Sequence, residues 1–184
     1  EQMTNNIIIP DREKFDELVK NFKEQGANKI HFLADFDKTL TKAIVDEQKM
    51  PSVISILRDE NYLSADYSQA AKDLFAKYHP IEIDPNIPIK EKKAKMAEWW
   101  QKHFDLLINS GLNQKDIAKV IEDPRIQLRE GVKGLFKNLA DKNIPLVILS
   151  SAGLGVESIT MLLAKNNCLF DNIKIISNEF EYDE

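Results

Sequence analysis

The 184-residue sequence predicts an α/β fold: a doubly wound parallel sheet whose first strand is separated from the others by a helical insertion. Three observations carry this. Short apolar runs at 30–34, 144–149 and 173–177 have the length and β-branched content of buried parallel strands. Segments of helical periodicity alternate with these runs at both ends of the chain, which is the order of βαβ units. The stretch 45–125 carries helical periodicity alone.

Each element follows from local signals. Phe15, Leu18, Val19 and Phe22 fall at i, i+3, i+4, i+7 spacing, so 11–25 reads as an amphipathic helix, with Asp11 as N-cap and Gly26 as stop. The run Ile30-His31-Phe32-Leu33-Ala34 is the first strand, with His31 inside it. Helices are expected over 51–61, 66–79, 89–110 and 113–122; Gly111 stops the third and Pro124 closes the fourth. His79 sits at a helix end, just before Pro80. Val132, Leu135, Phe136 and Leu139 mark a helix over 131–142, the strand 144–149 follows, and a small-residue turn at 150–155 leads into a helix over 156–165. The third strand is 173–177. The resulting division is an α/β core of 1–44 and 126–184 around an insertion of 45–125.

Composition narrows the function. Thirty acidic residues against 25 basic leave a net charge of −5, the wrong sign for a general nucleic-acid binder. No apolar run approaches the ~20 residues a bilayer span needs. Residues 1–10 lack the basic start and apolar core of a signal peptide, so the expectation is a cytoplasmic protein with no membrane or nucleic-acid partner. No oligomeric state is specified. The single cysteine, Cys168, follows Asn166-Asn167, precedes Leu169-Phe170 and reads as a small core residue. Lys90, Lys92, Lys93 and Lys95 read as a solvated helix face.

Two strand ends carry chemistry. After the first comes Asp35-Phe36-Asp37-Lys38-Thr39-Leu40-Thr41. Ligands of open α/β sheets gather at the carboxyl ends of strands. Two carboxylates there can divide the work, one as nucleophile and metal ligand, the other as general acid and base. A calcium loop of the EF-hand kind fits poorly, because Leu40 occupies the sixth position, where the turn needs Gly. Phe36 reads as packing. After the second strand comes Ser150-Ser151-Ala152-Gly153-Leu154-Gly155. Small residues opening a helix let backbone N–H groups and a hydroxyl approach an anion. Each motif alone has an ordinary structural reading, a polar loop or an N-cap; adjacent parallel strands would bring the two together.

The first motif resembles that of the haloacid dehalogenase-like phosphatase superfamily. More narrowly, the chain resembles the cytosolic 5′-nucleotidase III, or pyrimidine 5′-nucleotidase, family. The segments that carry the narrower resemblance are Ile81-Glu82-Ile83-Asp84-Pro85, Met96-Ala97-Glu98-Trp99-Trp100, Leu128-Arg129-Glu130-Gly131, Ser151-Ala152-Gly153-Leu154-Gly155 and Ile176-Ser177-Asn178. The resemblance implies a Rossmann-like haloacid dehalogenase-type parallel sheet core with an inserted α-helical cap. It implies a phosphatase acting on nucleoside 5′-monophosphates of the pyrimidine or 7-methylguanosine type.

By this resemblance, Asp35 is the nucleophile that becomes an aspartyl-phosphate. Asp37 protonates the leaving oxygen and later activates water. The Asp35 carboxylate and the Asp37 carbonyl hold Mg²⁺. Ser151, Ala152 and Gly153 bind the phosphate, with Ala152 contributing its N–H. Glu82 reads the nucleobase, with Trp100 and His103 beside it. Of the adjacent Trp99 and Trp100, one is expected to pack and the other to line the site. His103 stands where the family more often has a small hydroxyl residue. The family's third-motif lysine and fourth-motif acidic loop follow the third strand in sequence order and would fall after Glu184, so a core incomplete at its C-terminal side is expected. Beside the nucleotidase stand two other readings: a phosphatase of the same superfamily acting on a small metabolite, and a non-catalytic nucleotide-binding fragment.

Overall fold

The computed structural model describes residues 8–60 and 62–182. The elements run α1 (Arg12–Gln25), a 3-10 turn (Ala27–Lys29), β1 (Phe32–Ala34), β2 (Ile44–Val45), β3 (Gln48–Lys49), α2 (Val53–Asp59), α3 (Ala65–Ile83) and α4 (Ile89–Asn109). They continue with α5 (Gln114–Ile121), α6 (Val132–Asp141), β4 (Leu146–Leu149), α7 (Gly155–Lys165) and β5 (Ile173–Ile176).

β1, β4 and β5 form one parallel sheet with β4 in the middle. Leu33 pairs with Val147 and Val147 with Lys174, so the ends of β1 and β4 lie side by side. β4 is the apolar spine: Leu146 and Ile148 are fully buried, packed with Phe136 of α6 and Leu162 of α7. Each burial of this kind is worth ~2 kcal/mol. The core extends into the inserted helices through Ile56, Leu57, Leu107 and Ile117. Cys168 is buried there, as expected.

Helix starts obey capping chemistry. Asp11 accepts from the Lys14 N–H, Ser64 from that of Tyr67, and Asn113 from those of Lys115 and Asp116. Gly26 closes α1 at φ 79°, a conformation that suits glycine.

Four differences from the sequence reading have physical causes. His31 lies one residue before β1 and is exposed, because pairing with β4 begins at Phe32, whose N–H donates to the Pro145 carbonyl. Residues 44–49 form a two-stranded hairpin whose turn, Asp46 and Glu47, has positive φ at both positions. Such turns are usually signalled by Asn or Gly, which are absent here. α3 does not stop at His79 but runs through Pro80 to Ile83. Proline removes only one intrahelical donor near the helix end, and its own carbonyl still accepts from the Asp84 N–H. Lastly, the apolar stripe of α1 is present but no residue of that helix is buried, and Leu33 of β1 is exposed as well.

Candidate active site

The loop after β1 is a tight, stitched turn. Phe36 is fully buried and anchors it, as its sequence position implied; its carbonyl accepts from the N–H groups of Thr39, Leu40 and Thr41. The Lys38 N–H donates to Thr41 Oγ1 at 2.8 Å, which holds Lys38 at φ 62°. This curl leaves Asp35 exposed at the strand end, its Oδ2 accepting from the Thr39 hydroxyl at 2.8 Å, and turns Asp37 inward. Arg129 clamps the loop from the other half of the chain. Its Nη2 donates to the Lys38 carbonyl at 2.7 Å and its Nε to the Thr39 carbonyl at 2.9 Å.

Burial, reinforced by the neighbouring Asp35 charge, pushes the Asp37 carboxyl above the usual carboxylate range; Lys38 opposes the shift. A carboxyl so placed retains a proton more readily, which suits a proton donor. Two crowded carboxylates are also the hard oxygen set that Mg²⁺ takes, one or two at a time, alongside substrate phosphate and water. Among the described residues no cluster of three or more His, Cys, Asp or Glu side chains forms a metal-holding group.

The turn after β4 is equally constrained. Ser151 is exposed at its tip, while Ala152 and Gly153 are buried. The Ala152 N–H donates to Ser150 Oγ at 3.2 Å, so that donor, expected to face phosphate, is engaged within the turn. Asn178, just beyond β5, pins the turn twice: its Nδ2 donates to the Ala152 carbonyl at 3.0 Å, and its carbonyl accepts from the Val156 N–H at 2.8 Å. A Cβ on Gly153 would come within 2.8 Å of Ile54 on α2, so the turn touches the inserted helices directly.

A cavity of about 360 Å³ joins the two motifs to the inserted helices, within the range of small-molecule sites. Asp37, Lys38, Ser151 and Gly153 line its sheet side. Glu82, Trp99, Trp100 and His103 line the helical side. Asp35 and Ala152 are not among its lining residues. Both tryptophans reach the cavity, where one was expected only to pack. Trp99 stacks on Tyr78 at 5.8 Å and Trp100 on Phe104 at 5.4 Å, so each ring has an apolar backing. Phe180, after β5, meets Phe104 edge-on at 5.9 Å.

His103 is 7% exposed, and its Nε2 has no partner among the described residues. Burial, helped by the Arg58 charge, lowers its pKa to about 4. Arg58, Phe75 and His79 also line the cavity and were not singled out from the sequence as site residues. His79 Nδ1 lies 3.1 Å from Glu82 Oε2, one turn apart on α3, and Phe75 stacks on His79 at 4.5 Å. Only the continuation of α3 through Pro80 makes that pair, so a helix ended at His79 hides it. Glu98 supports the cavity's backing instead: hydrogen bonds from Lys102, Tyr78 and Lys95 hold its carboxyl at about 2. On α4, Lys90 and Lys93 are exposed as expected, while Lys92 donates to the Asp84 carbonyl and Lys95 to Glu98.

A parallel sheet with a carboxylate loop and a small-residue turn at adjacent strand ends, roofed by inserted helices, is the architecture of the haloacid dehalogenase-like class. Within it, the sequence model of Pyrimidine 5′-nucleotidase (UMPH-1) matches residues 38–184, and the chain belongs to that family. It is 31% identical over its whole length to a 7-methylguanosine phosphate-specific 5′-nucleotidase of Gallus gallus, covering 63% of that protein. It is 33% identical over 182 residues to the protein of the same name in Mus musculus, covering 60% of it. The crystal structure of cytosolic 5′-nucleotidase IIIB bound to cytidine superposes on 99% of the chain with a TM-score of 0.86 and 28% identity, and 61% of that structure is covered. The chain spans about three fifths of the length of these relatives.

Proposed function

We propose that the protein dephosphorylates nucleoside 5′-monophosphates, with the phosphate held at the strand ends and the base among the inserted helices, 45–125, acting as a cap. The observation that carries this is the single cavity lined at one side by Asp37 and Ser151 and at the other by Glu82, Trp100 and His103. An anion-binding turn and a π-stacking wall with a carboxylate acceptor match the two ends of a nucleotide.

In this reading Asp35 attacks phosphorus, the bond from phosphorus to the nucleoside O5′ breaks, and Asp37 gives that oxygen its proton. Asp37 then takes a proton from water as the water oxygen attacks the aspartyl-phosphate, which frees inorganic phosphate and restores Asp35. Ser151 and the backbone around Ala152 and Gly153 orient the phosphate. Asp35 and Asp37 would hold Mg²⁺, which supplies positive charge against the phosphate oxygens. Glu82 accepts from an exocyclic amine, Trp100 stacks on the base, and neutral His103 offers Nε2 to its edge. The reading assigns the protein to the cytoplasm.

The test is phosphate release from a panel of nucleoside monophosphates, with and without Mg²⁺. Release that depends on Mg²⁺ and disappears in Asp35→Asn is expected. Release that persists in Asp35→Asn overturns the mechanism, and preference for a non-nucleotide ester together with indifference to Glu82→Ala overturns the substrate class.

A further inference from the structure

The residue after Asp37 is held in a conformation that lysine rarely adopts. Lys38 has φ 62°, in the left-handed region that glycine enters freely and other residues enter at a steric cost. Both of its backbone polar groups are pinned there. Its N–H donates to Thr41 Oγ1 at 2.8 Å, and its carbonyl accepts from Arg129 Nη2 at 2.7 Å. A glycine would fit this turn without strain, so the turn itself does not call for a lysine. What the arrangement fixes is the point from which a side chain leaves the loop. That side chain lines the sheet side of the cavity, with Asp37 and Ser151. Strain of this kind persists where the surroundings impose it, and it gathers at working sites.

The charges around the cavity single out the same residue. On the cap side, Arg58 is taken up by Asp59, its Nε donating to Oδ1 at 2.9 Å. His79 lies against Glu82, and burial keeps His103 neutral. Lys38 enters no ion pair among the described residues. Its charge acts on the neighbouring Asp37 carboxyl, so it stands at the carboxylate end of the cavity. We propose that the Lys38 ammonium binds the substrate phosphate, donating to a non-bridging phosphoryl oxygen at the sheet side of the cavity. This rests on the nucleotide-site reading above and deepens it. A phosphate brought to Asp35 and Asp37 meets two negative groups. The Ser151 hydroxyl offsets them only with a dipole, whereas Lys38 brings a full positive charge and three N–H donors. A compact charge on a flexible stem can also follow the phosphoryl group from the nucleoside oxygen to Asp35.

A nucleoside and its own 5′-monophosphate differ only in the phosphate, so the pair isolates the contact. Cytidine, 7-methylguanosine and their monophosphates are titrated calorimetrically into the 184-residue chain, with EDTA present to suppress turnover. The wild-type chain is expected to bind each monophosphate about fivefold more tightly than its nucleoside. Lys38→Met should remove that advantage and leave nucleoside affinity unchanged, and Lys38→Arg should keep most of it. Monophosphates that bind the wild-type chain no better than the nucleosides overturn the proposal. So does an advantage that survives in a folded Lys38→Met. An equal loss for nucleoside and monophosphate also overturns it, because it marks a disturbed loop rather than a lost phosphate contact. If neither nucleosides nor monophosphates bind the wild-type chain, the nucleotide-site reading falls and this inference with it; if the nucleosides bind and the phosphate's advantage ignores Lys38, only this inference falls.

Discussion

Arg129 donates to the backbone carbonyl of Lys38 at 2.7 Å across 91 residues of sequence, and the second arm of its fork holds the Thr39 carbonyl. The loop after β1 is thus shaped by a residue from beyond the inserted helices. On the proposed mechanism, Arg129→Met should lower the turnover rate about tenfold with little change in KM, because Asp35 and Asp37 would lose their fixed geometry. Arg129→Lys should rescue it only in part, since a single ammonium cannot span both carbonyls. Steady-state phosphate release checks both.

Gly155 and Gly134 should respond in opposite directions to the same change. Gly155 has φ 69° and its added Cβ would lie 2.5 Å from the Asn178 carbonyl oxygen, a backbone atom that cannot step aside. Gly155→Ala should cost about 1–3 kcal/mol. Gly134 is inside α6 with nothing within 4 Å, so Gly134→Ala should stabilise by about 0.5–1 kcal/mol. Urea unfolding of the two variants measures the contrast.

His103 gives the fold an acid-sensitive element. Its pKa falls from 6.5 to about 4 on folding, so below 6.5 the unfolded chain takes up a proton that the folded chain refuses. Stability is therefore lost as pH drops from 6.5 to about 4, by at most about 3 kcal/mol. His103→Gln should flatten that slope. Unfolding free energies across the pH series test it, with an unchanged slope counting against the assignment.

Arg125 joins α2's end to the loop before the core resumes, pairing with Asp123 at 2.7 Å and Glu60 at 2.9 Å. The Asp123 side chain is 7% exposed, and the Arg125 hydrogen bonds hold its carboxyl below the ordinary range. Arg125→Met strands that buried charge and should cost about 3 kcal/mol, less in acid, where Asp123 can protonate. Arg125→Met with Asp123→Asn should recover part of the loss in a double-mutant cycle.

The strands were legible because β4 is a continuous apolar run and β5 one broken only by Lys174, and the helices because their caps and periodicity agree. Asp37 and Ser151 were legible as strand-end chemistry, and the cavity brings them together. Arg58 and His79 were not, because what they do depends on which way a helix faces and on a helix crossing a proline. The clamp made by Arg129 escaped as well: the segment Leu128-Arg129-Glu130-Gly131 carried the resemblance but says nothing of the carbonyls its arginine finds in another half of the chain. The β2–β3 turn carries no glycine signal at all.

The rings of Trp100, Phe104 and Phe180, the first pair stacked and the second edge-on, run from the cavity wall to the segment behind β5. That segment also carries Asn178, which pins the turn after β4. On the proposed reading, a base seated on Trp100 would therefore bear, through two phenyl groups, on the same short stretch that holds the turn after β4. The two ends of one substrate would sense each other mechanically, by a route that bypasses the polypeptide connections between cap and sheet.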